Sequence, residues 1–315
     1  MKLNSFVNLA ALSCLFASFP ALSNNIPAEW KNTQDGILQI SGEGIYSWQS
    51  NNLASTYFID EANNAPVYFT SAKNPDATWG YHAGLTYIFP GLEYDISASY
   101  WDMDANTNSN DFNGPLTATE KNYYDYNAGE VTIGKYAAHS YNGDLRVGLG
   151  IAYANIKQTT KGNAQWGGGS IDNPSADGKF YNRFKGIGPK IGIDGNVKLN
   201  NNFSLIGGIG ASALIGHSKA KMSIYEPDQP LAETSKNSRK TIFQTDAKAG
   251  VSLTQVLKND TAIAVEAGYR GSIYFNAMQH KDLEVNSNGV PIVAEPHNKN
   301  YSNYGPYAGL TVSFK

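Results

Sequence analysis

The stretch GIGPKIGIDGNVKLNNNFSLIGGIGASALIG, residues 186–216, decides how the whole chain is read. Its glycines at 186, 188, 192, 207, 208 and 210 resemble the Gly-rich turn that sets a pyrophosphate on a helix N-terminus. Such a loop must open a helix, with apolar residues then recurring at about 3.6. Instead Ile191, Ile193, Val197 and Leu199 share one parity and Lys190, Asp194, Asn196 and Lys198 the other, the period of two of a half-buried strand. The alternation resumes after Asn200, Asn201 and Asn202. Phe203, Leu205, Ile209, Ala211, Ala213 and Ile215 then face one way, and Ser204, Gly208, Gly210 and Ser212 the other. The stretch therefore reads as two long strands joined by a tight polar turn, and the nucleotide loop is rejected.

At the start of the chain, MKLNSFVNLAALSCLFASFPALSNN carries Lys2, an apolar run from Phe6 to Phe19, and Ala21, Leu22 and Ser23 as a small-residue cleavage site. This is the pattern of a secretory signal peptide over residues 1–23, leaving residues 24–315 as one domain. Cys14 is not read as a lipid-anchor site, because Ala11 stands where such sites carry Leu and the apolar run continues past the cysteine. Residues 24–315 contain no cysteine, so an exported chain of this length needs a stabiliser other than disulfides, and a closed sheet is one. The formal net charge of −3 leaves no basic footprint for nucleic acid. After the leader no apolar run approaches the roughly 18 residues of a membrane-spanning helix. The chain is thus either a soluble sandwich or a barrel. A sandwich would turn every 8 to 12 residues or so, whereas here the strand-like segments are longer and their spacers alternate between short and long.

ILQISGEGIYSW, from Ile37, sets Leu38, Ile40, Tyr46 and Trp48 against Gln39, Ser41 and Glu43. After a polar stretch to about Ala77, TWGYHAGLTYIF runs to a turn at Pro90 and Gly91. YDISASYWDM then opposes Tyr94, Ile96, Ala98 and Tyr100 to Asp95, Ser97 and Ser99. Further strands follow in YDYNAGEVTIGKY, LRVGLGIAYANI, TIFQTDAKAGVSL, AIAVEAGYRGSIYF and YGPYAGLTVSFK, with short turns at Tyr141–Asp144 and Lys258–Asp260. Long polar loops are expected over about 104–120, 159–179, 224–239 and 276–302. About ten strands, long loops alternating with short turns, and both ends on the turn side predict an all-β, closed antiparallel up-and-down transmembrane barrel of the bacterial outer membrane. Tyr87, Phe89, Tyr94, Phe203 and Phe314 near the turns, and Trp48, Trp79, Tyr100, Tyr269 and Tyr304 toward the loops, read as its two aromatic girdles. Two places resist the pattern. Arg183 and Lys185 share the lipid-facing parity of Ile191, so either they stand above the bilayer or a bulge near residues 186–189 resets the register. Between Tyr124 and Tyr136, Glu130 and Lys135 have opposite parities and leave the inward face open.

YNRFKGIGPKIGIDGNVKLNNNFSLIGGIGASALIG, residues 181–216, resembles the central signature of the Legionella major outer membrane protein family. There a Phe-x-Gly-x-Gly-Pro-basic-x-Gly segment is followed by a strand, a turn and a Gly-Ala-rich strand. Phe184, Gly186, Gly188, Pro189, Lys190 and Gly192 fit it. DATWGYHAGLTYIFPGLEYDISASYWDMD and LRVGLGIAYANIK resemble neighbouring strands of the family. The resemblance covers most of the chain after the leader and implies a porin-like, surface-exposed barrel with no catalytic motif. Members of the family carry cysteines that residues 24–315 lack.

The inward parities collect Glu43, Asp95, Asp194, Asp246 and Glu266 beside Arg146, Lys190, Lys198, Lys248 and Arg270. A barrel of about eight strands is filled by its own side chains and one of 16 or more holds an aqueous channel, so ten strands predict a narrow or plugged interior. The charges then either cross-link the lumen or line a constricted pore. Glu266 and Arg270 lie about 13 Å apart along one strand, at some 3.3 Å per residue, so each needs a partner elsewhere; Asp246 or Lys248 on the preceding strand are the candidates. The alternatives to a porin-like protein are a structural or adhesive surface barrel and an omptin-like surface protease. The latter would draw on His82, His217, Asp102 and Asp104 near the loop rim. No nucleophile motif accompanies them, and the five histidines have no metal-ligand spacing, so neither catalytic residues, metal nor cofactor are expected. Outer-membrane lipid and lipopolysaccharide are the expected surroundings. Small solutes or ions, further copies of the chain and a host surface met through the loops are the candidate partners.

Overall fold

The computed structural model describes residues 30, 35–51, 57–60, 65–68, 76–91, 93–113, 116–140, 142–166, 175–200, 202–226, 229–257, 259–280, 283–285, 291–293 and 297–315. The leader expected over 1–23, with Cys14, lies outside them, as do Tyr141, Asn201 and Lys258 of the expected turns. The strands are β1 (Ile37–Asn51), the short pair β2 (Tyr57–Asp60) and β3 (Ala65–Tyr68), β4 (Thr78–Ile88), β5 (Tyr94–Asn113), β6 (Leu116–Ser140), β7 (Gly143–Trp166), β8 (Ser175–Lys198), β9 (Phe203–Glu226), β10 (Gln229–Leu257), β11 (Thr261–His280), the short pair β12 (Leu283–Val285) and β13 (Pro291–Val293), and β14 (His297–Phe314). Ten of them close into one antiparallel barrel in which each pairs with the next and β14 returns to β1; β2 with β3 and β12 with β13 form separate hairpins.

Alternation governs each strand. On β8, Ile187, Ile191, Ile193 and Val197 are exposed while Lys190 and Asp194 are buried, and β9 repeats the division with Leu205, Ile209 and Ile215 outside and Ser204, Ser212 and Leu214 inside. The exposed apolar side chains make a lipid-facing wall, so the ordinary sense of a buried core is inverted. The register fixes its geometry. Register partners run from Leu38 through Tyr87, Ile96, Ile133, Leu149, Ile191, Ala211, Thr245, Ile273 and Ser302 back to β1 at Ser50, twelve residues further along. With strands about 4.8 Å apart and a rise of about 3.3 Å per residue, that stagger tilts them by about 40°.

Turn chemistry closes the lower ends. Asn200 Oδ1 accepts from the N–H groups of Asn202 (3.0 Å) and Phe203 (2.8 Å), an Asx turn that explains the asparagine run. Gly91, Asn259 and Asp260 take positive φ, which Gly supplies freely and Asn and Asp tolerate. At the other end the loops are shorter than polarity suggested. β5 and β6 extend to Asn113 and from Leu116, β7 and β8 to Trp166 and from Ser175, and β9 and β10 to Glu226 and from Gln229; β11 ends at His280 and β14 starts at His297. Beyond the membrane both faces of a hairpin meet polar surroundings, so the period-two signal fades while the ladder continues.

Both ambiguous segments resolve. β8 keeps one register with β7 and β9 from Arg183 through Lys198, so no bulge resets it, and Arg183 and Lys185 stay on the outer face at the loop end. Lys185 Nζ lies 5.9 Å from the Tyr153 ring. On β6 the even residues point inward, which puts Glu130 in the lumen and Lys135 outside, 5.3 Å from the Tyr94 ring near the turns. The girdle aromatics face outward, with Trp79 tilted against Tyr46 at 5.3 Å and Trp48 stacked on Tyr304 at 6.3 Å. Tyr269 is the exception: it lies mid-strand, and Ile273 and Phe275 continue the β11 outer face toward the loops.

Candidate functional site: the barrel lumen

The inward faces carry charge toward the turns and apolar or aromatic side chains toward the loops. β11 runs Glu266, Arg270, Tyr274; β8 runs, from turn to loop, Asp194, Lys190, Phe184; β10 runs Lys248, Asp246, Ile242. Nearest the turns, Ile37, Ile88, Tyr136 and Ala262 pack with Trp30. Above them Arg146 donates from Nε and Nη2 to the two Asp95 carboxylate oxygens at 2.6 Å each, and from Nη1 to Asp194 at 3.1 Å, with Ser97 and Thr132 adding hydroxyl acceptors. This bidentate arrangement suits the planar guanidinium.

Midway up stand two further groups. Glu43 accepts from Arg270 and from Lys248 (3.1 Å), and Lys248 also donates to Glu266 at 3.0 Å. His82 Nδ1 lies 3.5 Å from Glu43, and the Arg270 guanidinium lies 3.7 Å from the Trp101 ring, a cation–π contact. Lys190 donates to Glu130 and to Asp246 (3.2 Å), while Gln244 joins Asp246 to Ser212. Three of these bridges skip a strand and pass over a glycine. Arg146 on β7 reaches Asp95 on β5 across Gly134, where an added Cβ would lie 2.1 Å from Nε. Lys190 on β8 reaches Asp246 on β10 across β9 beside Gly210, whose Cβ would lie 2.7 Å from the carboxylate. Glu43 on β1 reaches β11 and β10 across Gly309, whose Cβ would lie 2.7 Å from its Cγ. A missing side chain lets a long one lie flat along the wall.

Above the charges Met103, Tyr126, Ile156 and Phe184 are successive cross-strand partners on β5 to β8, and Leu214 pairs with Ile242 on β9 and β10. Tyr126 and Tyr274 hydroxyls meet at 2.8 Å, and Tyr126 stacks on Tyr301 at 5.7 Å. These residues belong to one buried cluster inside the barrel. A polar layer of Asn122, Gln158, Asn182 and Gln279 follows toward the loops.

Nine of the ten inward charges expected from parity lie buried in these groups. Lys198 lies at the turn end of β8, half-buried, and its backbone N–H donates to Asn142. The pairing differs from expectation at Arg270, which meets Glu43 and not Asp246 or Lys248; Glu266 does meet Lys248. Glu130 and His82 join the network unforeseen, and the aromatic layer was missed because its inward apolar residues blur the alternation. In the family signature, Phe184 is wholly buried in that layer, Gly186 leaves room for its ring, and Lys190 is the doubly paired cation. Pro189, which lacks an N–H, falls where the pairing of β8 with β9 is interrupted. The four rim candidates separate: His82 is inside beside Glu43, whereas His217, Asp102 and Asp104 lie on the outward parity of their strands.

Residues 35–314 match the family described as Legionella pneumophila major outer membrane protein precursor. No curated relative matches by sequence. Among solved structures, the outer membrane protease OmpT from Escherichia coli aligns at 13% identity and a TM-score of 0.47, over 90% of this chain and 97% of that one. The Pseudomonas putida toluene transporter TodX aligns at 9% identity and 0.35, over 95% and 96%. A Pseudomonas aeruginosa FadL homologue aligns at 9% and 0.32, over 95% of each chain. At such TM-scores none of these likenesses bears on activity or cargo.

Proposed function

The chain belongs to the Legionella major outer membrane protein family of the bacterial outer membrane, and from that premise we propose that it is a porin-like barrel whose lumen is a narrow, partly plugged ion path. The carrying observation is the layering of that lumen, in which paired charges such as Asp95, Lys190 and Arg270 lie below a band of tyrosine, methionine and phenylalanine. Opposed fixed charges bind small ions weakly and at several points, which permits passage, and the aromatic band sets the constriction. The reading is non-enzymatic; the division of His82 from His217, Asp102 and Asp104 between opposite faces supports it.

Planar-bilayer recording tests this. The parent should pass small ions in low-conductance steps, Tyr274→Ala should enlarge the steps, and Arg270→Ala should shift selectivity toward cations. A parent and Tyr274→Ala variant that are both silent would establish the filled lumen as a structural element and leave a surface barrel without conductance.

A further inference from the structure

The outer wall carries a basic strip just beyond its apolar band. On β8 that band runs from Ile187 to Val197, which at some 3.3 Å per residue and a 40° tilt is about 25 Å tall, the height of an outer-membrane barrel's lipid face. Immediately loopward come two rows of directly opposed cross-strand neighbours. One is Lys185–His217–Arg239 on β8, β9 and β10, and the next is Lys157–Arg183–Lys219 on β7, β8 and β9. Like charges directly opposite one another on a sheet are destabilising. Among the described residues carboxylates answer only the flanks: Asp125 lies 3.3 Å from Lys157, and Glu233 pairs with Lys221, holding that ammonium above its ordinary pKa through the hydrogen bond. Between the flanks, Arg183 donates to Asn155 at 2.8 Å, and Lys185, Lys219 and Arg239 have no carboxylate in ion-pair contact among the described residues.

We infer that this strip binds a phosphorylated glycolipid of the outer leaflet, with phosphate on Arg183, Lys185, Lys219 and Arg239 and acyl chains on Ile187, Ile215 and Phe243 below. A row of cations at the height of lipid headgroups, with exposed apolar residues directly beneath, complements an anionic head above hydrocarbon tails. Arg183 and Arg239 supply planar donors for phosphate oxygens, and Lys185 and Lys219 supply point charges. The assignment concerns the outer wall and is independent of what the lumen passes.

The test uses full-length protein in nanodiscs, titrated with bis-phosphorylated lipid A, its dephosphorylated form, and inorganic phosphate, with bound lipid counted by native mass spectrometry. Bis-phosphorylated lipid should bind at least tenfold more tightly than either of the other two. R183Q/K219Q/R239Q should lose that preference, and K135Q, at the turn end, should keep it. Should the triple variant not fold, K219Q alone must weaken binding several-fold. Equal binding by parent and K219Q, or by the phosphorylated and dephosphorylated lipids, would overturn the site, and inorganic phosphate binding as tightly as the lipid would overturn the lipid assignment.

Discussion

Glu43 answers three neighbours on other strands, Arg270, Lys248 and His82, from a side chain almost closed to solvent. Glu43→Ala leaves two buried cations short of a partner and should lower folding stability by about 3–5 kcal/mol, the usual cost of breaking a buried pair from one side. A urea titration of the refolded barrel checks this, and a loss below about 1 kcal/mol would mean that water reaches the cluster. Gly134→Ala tests the glycine gaps by pressing a methyl group into the Arg146 guanidinium; it should cost about 1–3 kcal/mol by overpacking, whereas Gly42, with nothing within 4 Å of its added Cβ, should accept Ala without loss. That these acids and bases face inward was legible from parity. Which of them pair was not, because the bridges cross a whole strand where a glycine permits it. An inward glycine beside a long charged residue is the signal that would have revealed them.

At the scale of the strand, alternation carried most of the fold. The rows around Ile191 and Ile209 needed only their period of two, and four short turns were marked by Pro–Gly, Asn and Asp residues whose local geometry demands them. Where strands leave the membrane the pattern stops while hydrogen bonding goes on, so their upper limits were not legible. The wall itself is testable at Leu149, which faces outward at 61% exposure. Leu149→Arg should cost about 2–4 kcal/mol in a bilayer folding titration, whereas Tyr123→Arg, outward-facing but loopward of the band, should cost little. Equal costs at the two positions would refute the assigned height of the lipid face.

For the whole molecule, strand number was legible by counting turns, but the stagger was not. It is a property of all ten pairings together, and it decides which lumen residues share a level. Orientation follows from the short turns and predicts that tags near Asn163 or Ser235 are labelled on intact cells while a tag near Asn202 or Asn259 is not; labelling at Asn202 on unbroken cells would invert the barrel. The seam between β1 and β14 brings Leu38 against Phe314, and Glu43 reaches over it to β11 and β10. A closure slipped by two residues would leave every apolar side chain facing lipid, so hydrophobicity cannot tell the right ring from its neighbour. It would, however, move Glu43 off Gly309 and away from Lys248 and Arg270. Pairing of Glu43 with its two cations therefore accompanies the observed closure and is lost in that neighbour, which the wall alone would accept, and the ion pairs act as a proofreading step on assembly.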